Sequence, residues 1–148
     1  MDVEEVYEIA VRVRSAIESQ IAAASYVDCE LKKFPRGSCE ISSVILGLYL
    51  KSKGYENVFQ GVGNRPIPND MNKSNHVWLV LNNEIIVDIT ADQFNDCEER
   101  VIVGRESKFH KTFKQYALRP IDETYLNRFG STGYRDFYLK VLSQLNCT

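Results

Sequence analysis

The sequence predicts an α+β fold in which a buried helix packs on an antiparallel sheet. Three observations carry that prediction. Glu40 to Lys53 is apolar round most of a helical circumference, His76 to Thr90 has the composition of a β-hairpin, and the order along the chain is helix, helix, strands, helix, without repeats or low-complexity tracts. With 148 residues the chain is long enough for one good core and too short for two, so residues 1–148 are read as a single domain. A net charge of −2, with acidic and basic residues mixed throughout, leaves no polybasic stripe for nucleic acid. No apolar run approaches a membrane span, and the start Met-Asp-Val-Glu-Glu lacks signal-peptide character, so a cytoplasmic protein without membrane contact is expected.

The first helix is expected from Val3 to Ala24, where Val6, Ala10, Val13, Ile17, Ile21 and Ala24 form an apolar stripe. Glu4, Glu5, Arg12, Arg14 and Glu18 fall mostly outside it, and Gln20 lies on or near it. In the second helix Ile41, Val44, Ile45 and Leu48 share a face, which Leu46 and Leu50 widen. Gly37 permits a tight entry, Ser38 is the expected N-cap, and Lys51, Lys53 and Gly54 form the stop. Cys39 therefore falls in the first turn, where unpaired N–H groups and the positive end of the helix dipole favour a thiolate. Glu40 opposes that charge unless its carboxylate points to solvent.

The strands follow. His76-Val-Trp-Leu-Val-Leu81, Asn82-Asn83 and Glu84-Ile-Ile-Val-Asp88-Ile-Thr90 read as strand, turn and strand. Side chains alternate between faces, so His76 and Asp88 share a face only if the pairing register has an even sum, which needs a three- or five-residue loop or a bulge. That register is expected, because an acid within Ile-Ile-Val-Asp-Ile needs a buried partner and His76 supplies one. Trp78 would share the face and screen the pair from water. Val58 to Gly61 is an earlier strand, and the turn-rich stretch between Gly61 and Asn75 is expected to be a loop overhanging the site.

Beyond Phe94, a further strand is expected at Glu99 to Val103, a strand or short irregular piece at Phe109 to Tyr116, and helix at Ile121 to Phe129. Gly130 to Gly133 breaks the chain before a closing helix, Tyr134 to Leu145, with Phe137, Tyr138, Val141, Leu142 and Leu145 on one face. His110, between Lys108 and Lys111, is expected on the surface.

Gly37-Ser-Cys39, then Ser43, Leu46, Leu50 and Gly54, Val58-Phe-Gln-Gly61, His76-Val-Trp78 and Ile86-Val-Asp88 resemble the core of the transglutaminase-like branch of the papain-like cysteine enzymes. Asp88-Ile-Thr-Ala-Asp-Gln-Phe94 resembles the run after the acid in small bacterial members. The resemblance spans Phe34 to Phe94, under half the chain. It implies a papain-like fold with Cys39 as nucleophile, His76 as general base and acid, and Asp88 as the residue that orients His76. Glu40 stands where papain itself has tryptophan, and Lys33 stands where papain-type enzymes place an oxyanion glutamine. The Cys39 N–H is therefore the first oxyanion donor, with Gln60, Asn75 or a loop amide as the second.

The expected chemistry is attack of the Cys39 thiolate on an amide carbonyl, protonation of the leaving amine by His76, and a thioester that water or an amine resolves. Peptidase, glutamine deamidase and transglutaminase activities share that first half-reaction. A protein or peptide substrate is expected, and the size also suits a bacterial effector or toxin domain, delivered into a target cell's cytoplasm. The alternative from another class is a non-enzymatic protein-binding module of the same fold, distinguished by whether Cys39 is accessible. Cys29, Cys39, Cys97 and Cys147 form no close metal-type pair and read as free thiols, with a Cys29–Cys97 disulfide disfavoured. Cys39, His76 and Asp88 have ligand types that suit zinc. With only two histidines and no His-x-x-x-His helix, thiol catalysis without metal or cofactor is preferred.

Overall fold

The computed structural model describes residues 2–67, 71–128 and 133–147. Helix α1 runs Val3–Ala23, capped by the Asp2 carboxylate, which accepts the Glu4 and Glu5 N–H groups. Helix α2 runs Cys39–Ser52, with Gly37 at φ +67° immediately before it, a conformation glycine takes without penalty. Strands β1 (Val58–Pro66), β2 (Lys73–Leu81), β3 (Ile85–Asp88) and β4 (Ile102–Gly104) precede a single helical turn, α3 (Lys108–Lys111), then β5 (Lys114–Pro120) and α4 (Tyr134–Asn146). Short 3-10 turns lie at Ala91–Gln93 and Glu123–Asn127. The five strands form one antiparallel sheet in the order β4-β3-β2-β1-β5.

The central strands β2 and β3 are buried on both faces, which is why Val77 to Leu81 is an unbroken apolar run, while β5 at the edge is largely exposed. Leu79, Leu81, Ile85 and Val87 join the main core with α1, α2 and α4. Ile41, Val44, Ile45, Leu46 and Leu50 carry α2 into it, with Leu48 only partly buried. Trp78 and Val80 join Phe113 in a second cluster with Ile86, Phe94 and Phe109.

Several expectations change. β1 extends to Pro66 and pairs with β2 from Lys73, so most of the expected loop between Gly61 and Asn75 is a hairpin arm; backbone pairing, which is blind to side-chain periodicity, decides it. Pro68 to Asp70 lie outside the described residues. The strand expected at Glu99 is shorter and begins at Ile102. Phe109 to Tyr116 divides between α3, whose N-cap Ser107 accepts the His110 N–H, and β5. The helix expected over Ile121 to Phe129 is a 3-10 turn, with Phe129 outside the described residues. The stretch Gly130 to Gly133, read as a chain break, has Gly133 just before α4 and its other residues outside the description.

Arg14 is a correction of another kind. It belongs to a set of charged residues expected mostly outside the stripe, yet it is 3 % exposed, and its guanidinium donates to Ile89 O (2.8 Å), to both Asp92 oxygens (2.8 and 3.0 Å) and to Arg100 O (3.2 Å). It ties the segment just after Asp88 to α1. Arg14→Met, which keeps the stem and removes the donors, is expected to lower stability by about 1–3 kcal/mol, read by urea denaturation.

Candidate active site

The hairpin turn sets the site. Leu81 pairs with Ile85 across Asn82-Asn83-Glu84, with both asparagines in the left-handed region (φ 53° and 58°) and the Glu84 N–H donating to Leu81 O at 3.0 Å. Three residues between paired positions give the even register expected. Leu79 then faces Val87, so Asp88 lies across from Trp78 and one alternate position from His76 on the same face.

There the His76 imidazole Nε2 and Asp88 Oδ2 are 2.6 Å apart, with side chains 0 % and 1 % exposed. Asp88 Oδ1 accepts the Thr90 N–H at 2.8 Å. Burial alone would raise the Asp88 pKa, but the charge on His76 and hydrogen bonds from His110 and His76 hold it well below the usual carboxylate range. Burial alone would likewise make His76 lose its proton more readily. The Asp88 charge and hydrogen bond, helped by Cys39, instead raise its pKa to about 9.

Cys39 is the first residue of α2 and is half-buried. It borders a small space of about 10 Å³ shared with Ser43, Leu46, Val77 to Leu79 and Val87 to Thr90, where the ladder between β2 and β3 ends. The thiol lies near enough to act on the His76 ring by charge and hydrogen bonding. His76 Nδ1, the nitrogen not used by Asp88, nevertheless makes no fully formed hydrogen bond, a looseness common in resting sites before substrate tightens them.

The approach to Cys39 is braced from two sides. Ser38 does not cap α2 through its side chain; its hydroxyl donates to Glu30 O, and the Glu30 carboxylate accepts both the Tyr125 and Tyr134 hydroxyls at 2.6 and 2.8 Å. Glu40 does not point free to solvent. Its carboxylate takes the Arg119 guanidinium and the Gln60 amide (2.7 Å), so its negative charge beside Cys39 is paired. Gln60 spends its other N–H on Ser43 Oγ at 2.7 Å and accepts from Arg119 Nε at 2.9 Å. Gln60 is thus a brace for Glu40 and is withdrawn as an oxyanion donor. Asn75 is exposed on β2.

Aromatic rings wall off the imidazole. Phe94, Trp78 and Phe113 have centroids 5.0, 5.6 and 5.6 Å from it. Arg65 stands 4.5 Å over Phe113 and 5.1 Å over Phe94, anchored on Asp96. Trp78 lies against two glycines of β1: a Cβ on Gly63 would fall 2.7 Å from Trp78 Cη2 and 3.0 Å from the Lys114 carbonyl. Gly63→Val is expected to lower stability by about 1–3 kcal/mol. It should also red-shift the emission of Trp78, the only tryptophan, which steady-state fluorescence reads directly.

His110 was expected on the surface; it is 5 % exposed, and its Nε2 lies 2.7 Å from the same Asp88 Oδ2 that His76 uses. On a single helical turn the flanking lysines project outward while Phe109, His110 and Phe113 turn inward. Their i, i+1, i+4 spacing was the available signal. His76, Asp88 and His110 bring three ligand-type atoms within 4.8 Å, a set that replaces Cys39 with His110 in the zinc grouping considered from sequence. Their N···O separations of 2.6 and 2.7 Å are those of hydrogen bonds. Ligands held at about 2.0–2.1 Å on one tetrahedral zinc stand about 3.3 Å apart. The four cysteines are free, so the Cys29–Cys97 bond is not formed. Among the described residues no helix is long and apolar enough to cross a membrane.

No family model matches the chain, and no curated protein or solved structure matches it.

Proposed function

We propose that the chain is a cysteine-nucleophile enzyme of the transglutaminase-like, papain-like type, acting on amide bonds of a protein or peptide through a thioester on Cys39. The observation that carries this reading is the buried His76–Asp88 pair with its free ring nitrogen, set beside a half-exposed cysteine at a helix N-terminus. The order is cysteine on a helix, then histidine and aspartate on adjoining antiparallel strands, as the resemblance implies. Cys39 attacks the carbonyl and its own N–H steadies the oxyanion, with Asn75 or a loop amide as second donor. His76 passes a proton to the departing amine or ammonia, and Asp88 keeps the imidazole turned to the sulfur. Water then gives hydrolysis or deamidation, and an amine gives transfer. The same chemistry would serve an effector or toxin domain working in a target cell's cytoplasm.

The partial exposure of Cys39 favours this over a binding module of the same fold, which could bury that residue entirely. The test offers casein and a fluorescent primary amine to the purified protein, following amine incorporation, ammonia release and new peptide termini. At least one product is expected from wild type and none from Cys39→Ser. Absence of all three across a panel of protein and peptide acyl donors, with Cys39 never acylated by intact mass, would turn the reading to the binding module.

A further inference from the structure

We propose that His110 is a positioning residue of the same site, a second imidazole that shares Asp88 Oδ2 with His76, orients the carboxylate and weakens its hold on the His76 N–H. The inference rests on the reading of Cys39 and His76 as thiol and base. Asp88 accepts three hydrogen bonds inside the protein: Thr90 N–H on Oδ1, and His76 and His110 on Oδ2 at 2.6 and 2.7 Å. With His76, Asp88 and His110 side chains at 0, 1 and 2 % exposure, water is not a ready substitute for either donor.

Ser107 fixes what His110 offers. Its Oγ accepts the His110 backbone N–H at 3.2 Å and lies 2.5 Å from Nδ1; because the Asp88 carboxylate can only accept, the proton of the neutral ring sits on Nε2 and Nδ1 takes the Ser107 O–H. Nε2 is then the N–H that donates to Asp88. Two donors on one carboxylate oxygen compete for its charge, and each is held less tightly than it would be alone. In the proposed mechanism this has a purpose: Asp88 holds the Nε2–H while the proton for the leaving amine sits on Nδ1, and a weaker pull of Asp88 on Nε2 makes the imidazolium a better acid at Nδ1.

The groups facing His110 are few. From β2 come His76, its ring stacked at 6.1 Å, and Trp78 at 5.0 Å; from β3 comes Asp88. On its own turn, Lys108 is exposed and Lys111 is paired with Glu106. Arg65 of β1 stands over the neighbouring Phe109, 5.3 Å from its centroid.

The chain has two histidines, so side-chain ¹⁵N and ¹³C spectra recorded against pH assign each by single substitution. In His110→Phe, which keeps a ring and removes the N–H, the His76 titration is expected to move up by about half a pH unit, a threefold change. Ser107→Ala, which frees the tautomer, is expected to move it the same way by less, and it carries the test if His110→Phe fails to fold. Wild-type His110 should show the Nε2–H tautomer. A His76 titration that stays in place or moves down in a folded variant, or a His110 proton on Nδ1, overturns the proposal. Iodoacetamide labelling of Cys39 in His76→Ala is measured alongside. If Cys39 reacts as in wild type while the His76 titration still answers to His110, the enzyme reading has failed and the positioning role falls with it, by a separate readout.

Discussion

Asp88→Ala is expected to destabilise the protein by about 3–5 kcal/mol, the range for removing one partner of a buried, hydrogen-bonded ion pair. Three donors lose their acceptor at once: Thr90 N–H, His76 and His110. None is near solvent, so each keeps its desolvation penalty without a partner. Asp88→Asn, which still accepts through its oxygen, should lose less stability yet leave His76 without a full charge to hold it. Urea denaturation at pH 6 reads the difference. Equal losses in the two variants would mean that the charge of Asp88 carries the effect and that a neutral acceptor oxygen in its place contributes little.

That substitution also marks how far the sequence could be read. Cys39 at the first turn of α2 was legible from Gly37, Ser38 and the apolar run, and the even register of the hairpin was legible from the need of Asp88 for a partner. Both depend on local chemistry. Arg14 and His110 were not legible, because Arg14 is itself charged and His110 stands between Lys108 and Lys111, and each is drawn inward by partners about 75 and 22 positions away in the chain. The extended β1 hairpin arm was missed because its pairing is made by backbone, to which composition is a weak guide.

The second large effect is on the pH dependence of stability. The His76 pKa is raised in the folded protein from 6.5 to about 9, so its contribution is fully present below 6.5 and is lost as pH rises through about 9. The size follows from the shift, about 3 kcal/mol. The Asp88 pKa is depressed, so its contribution is present above the unfolded value of 3.8 and fades only as pH falls through its folded value. Together they predict that the pair is at full strength between about pH 4 and 6.5. The stability gap between wild type and His76→Phe should therefore be widest there and should narrow steadily from pH 6.5 to 9, measured by chemical denaturation in buffers of matched ionic strength. A gap that stays flat over that interval and closes instead as pH falls below 6.5 would mean that the imidazole is held neutral in the fold.

The central claim is that Cys39 and His76 work as a pair, and the rate of iodoacetamide alkylation against pH, read by intact mass and peptide mapping, tests it most directly. Cys97 supplies an internal comparison, since burial pushes its thiol up, and Cys29 and Cys147 are exposed free thiols. The account predicts that Cys39 reacts first at pH 6 to 7, and that His76→Ala slows it at least tenfold while the other three cysteines keep their rates. Four cysteines that react alike, or a Cys39 indifferent to His76, would contradict it.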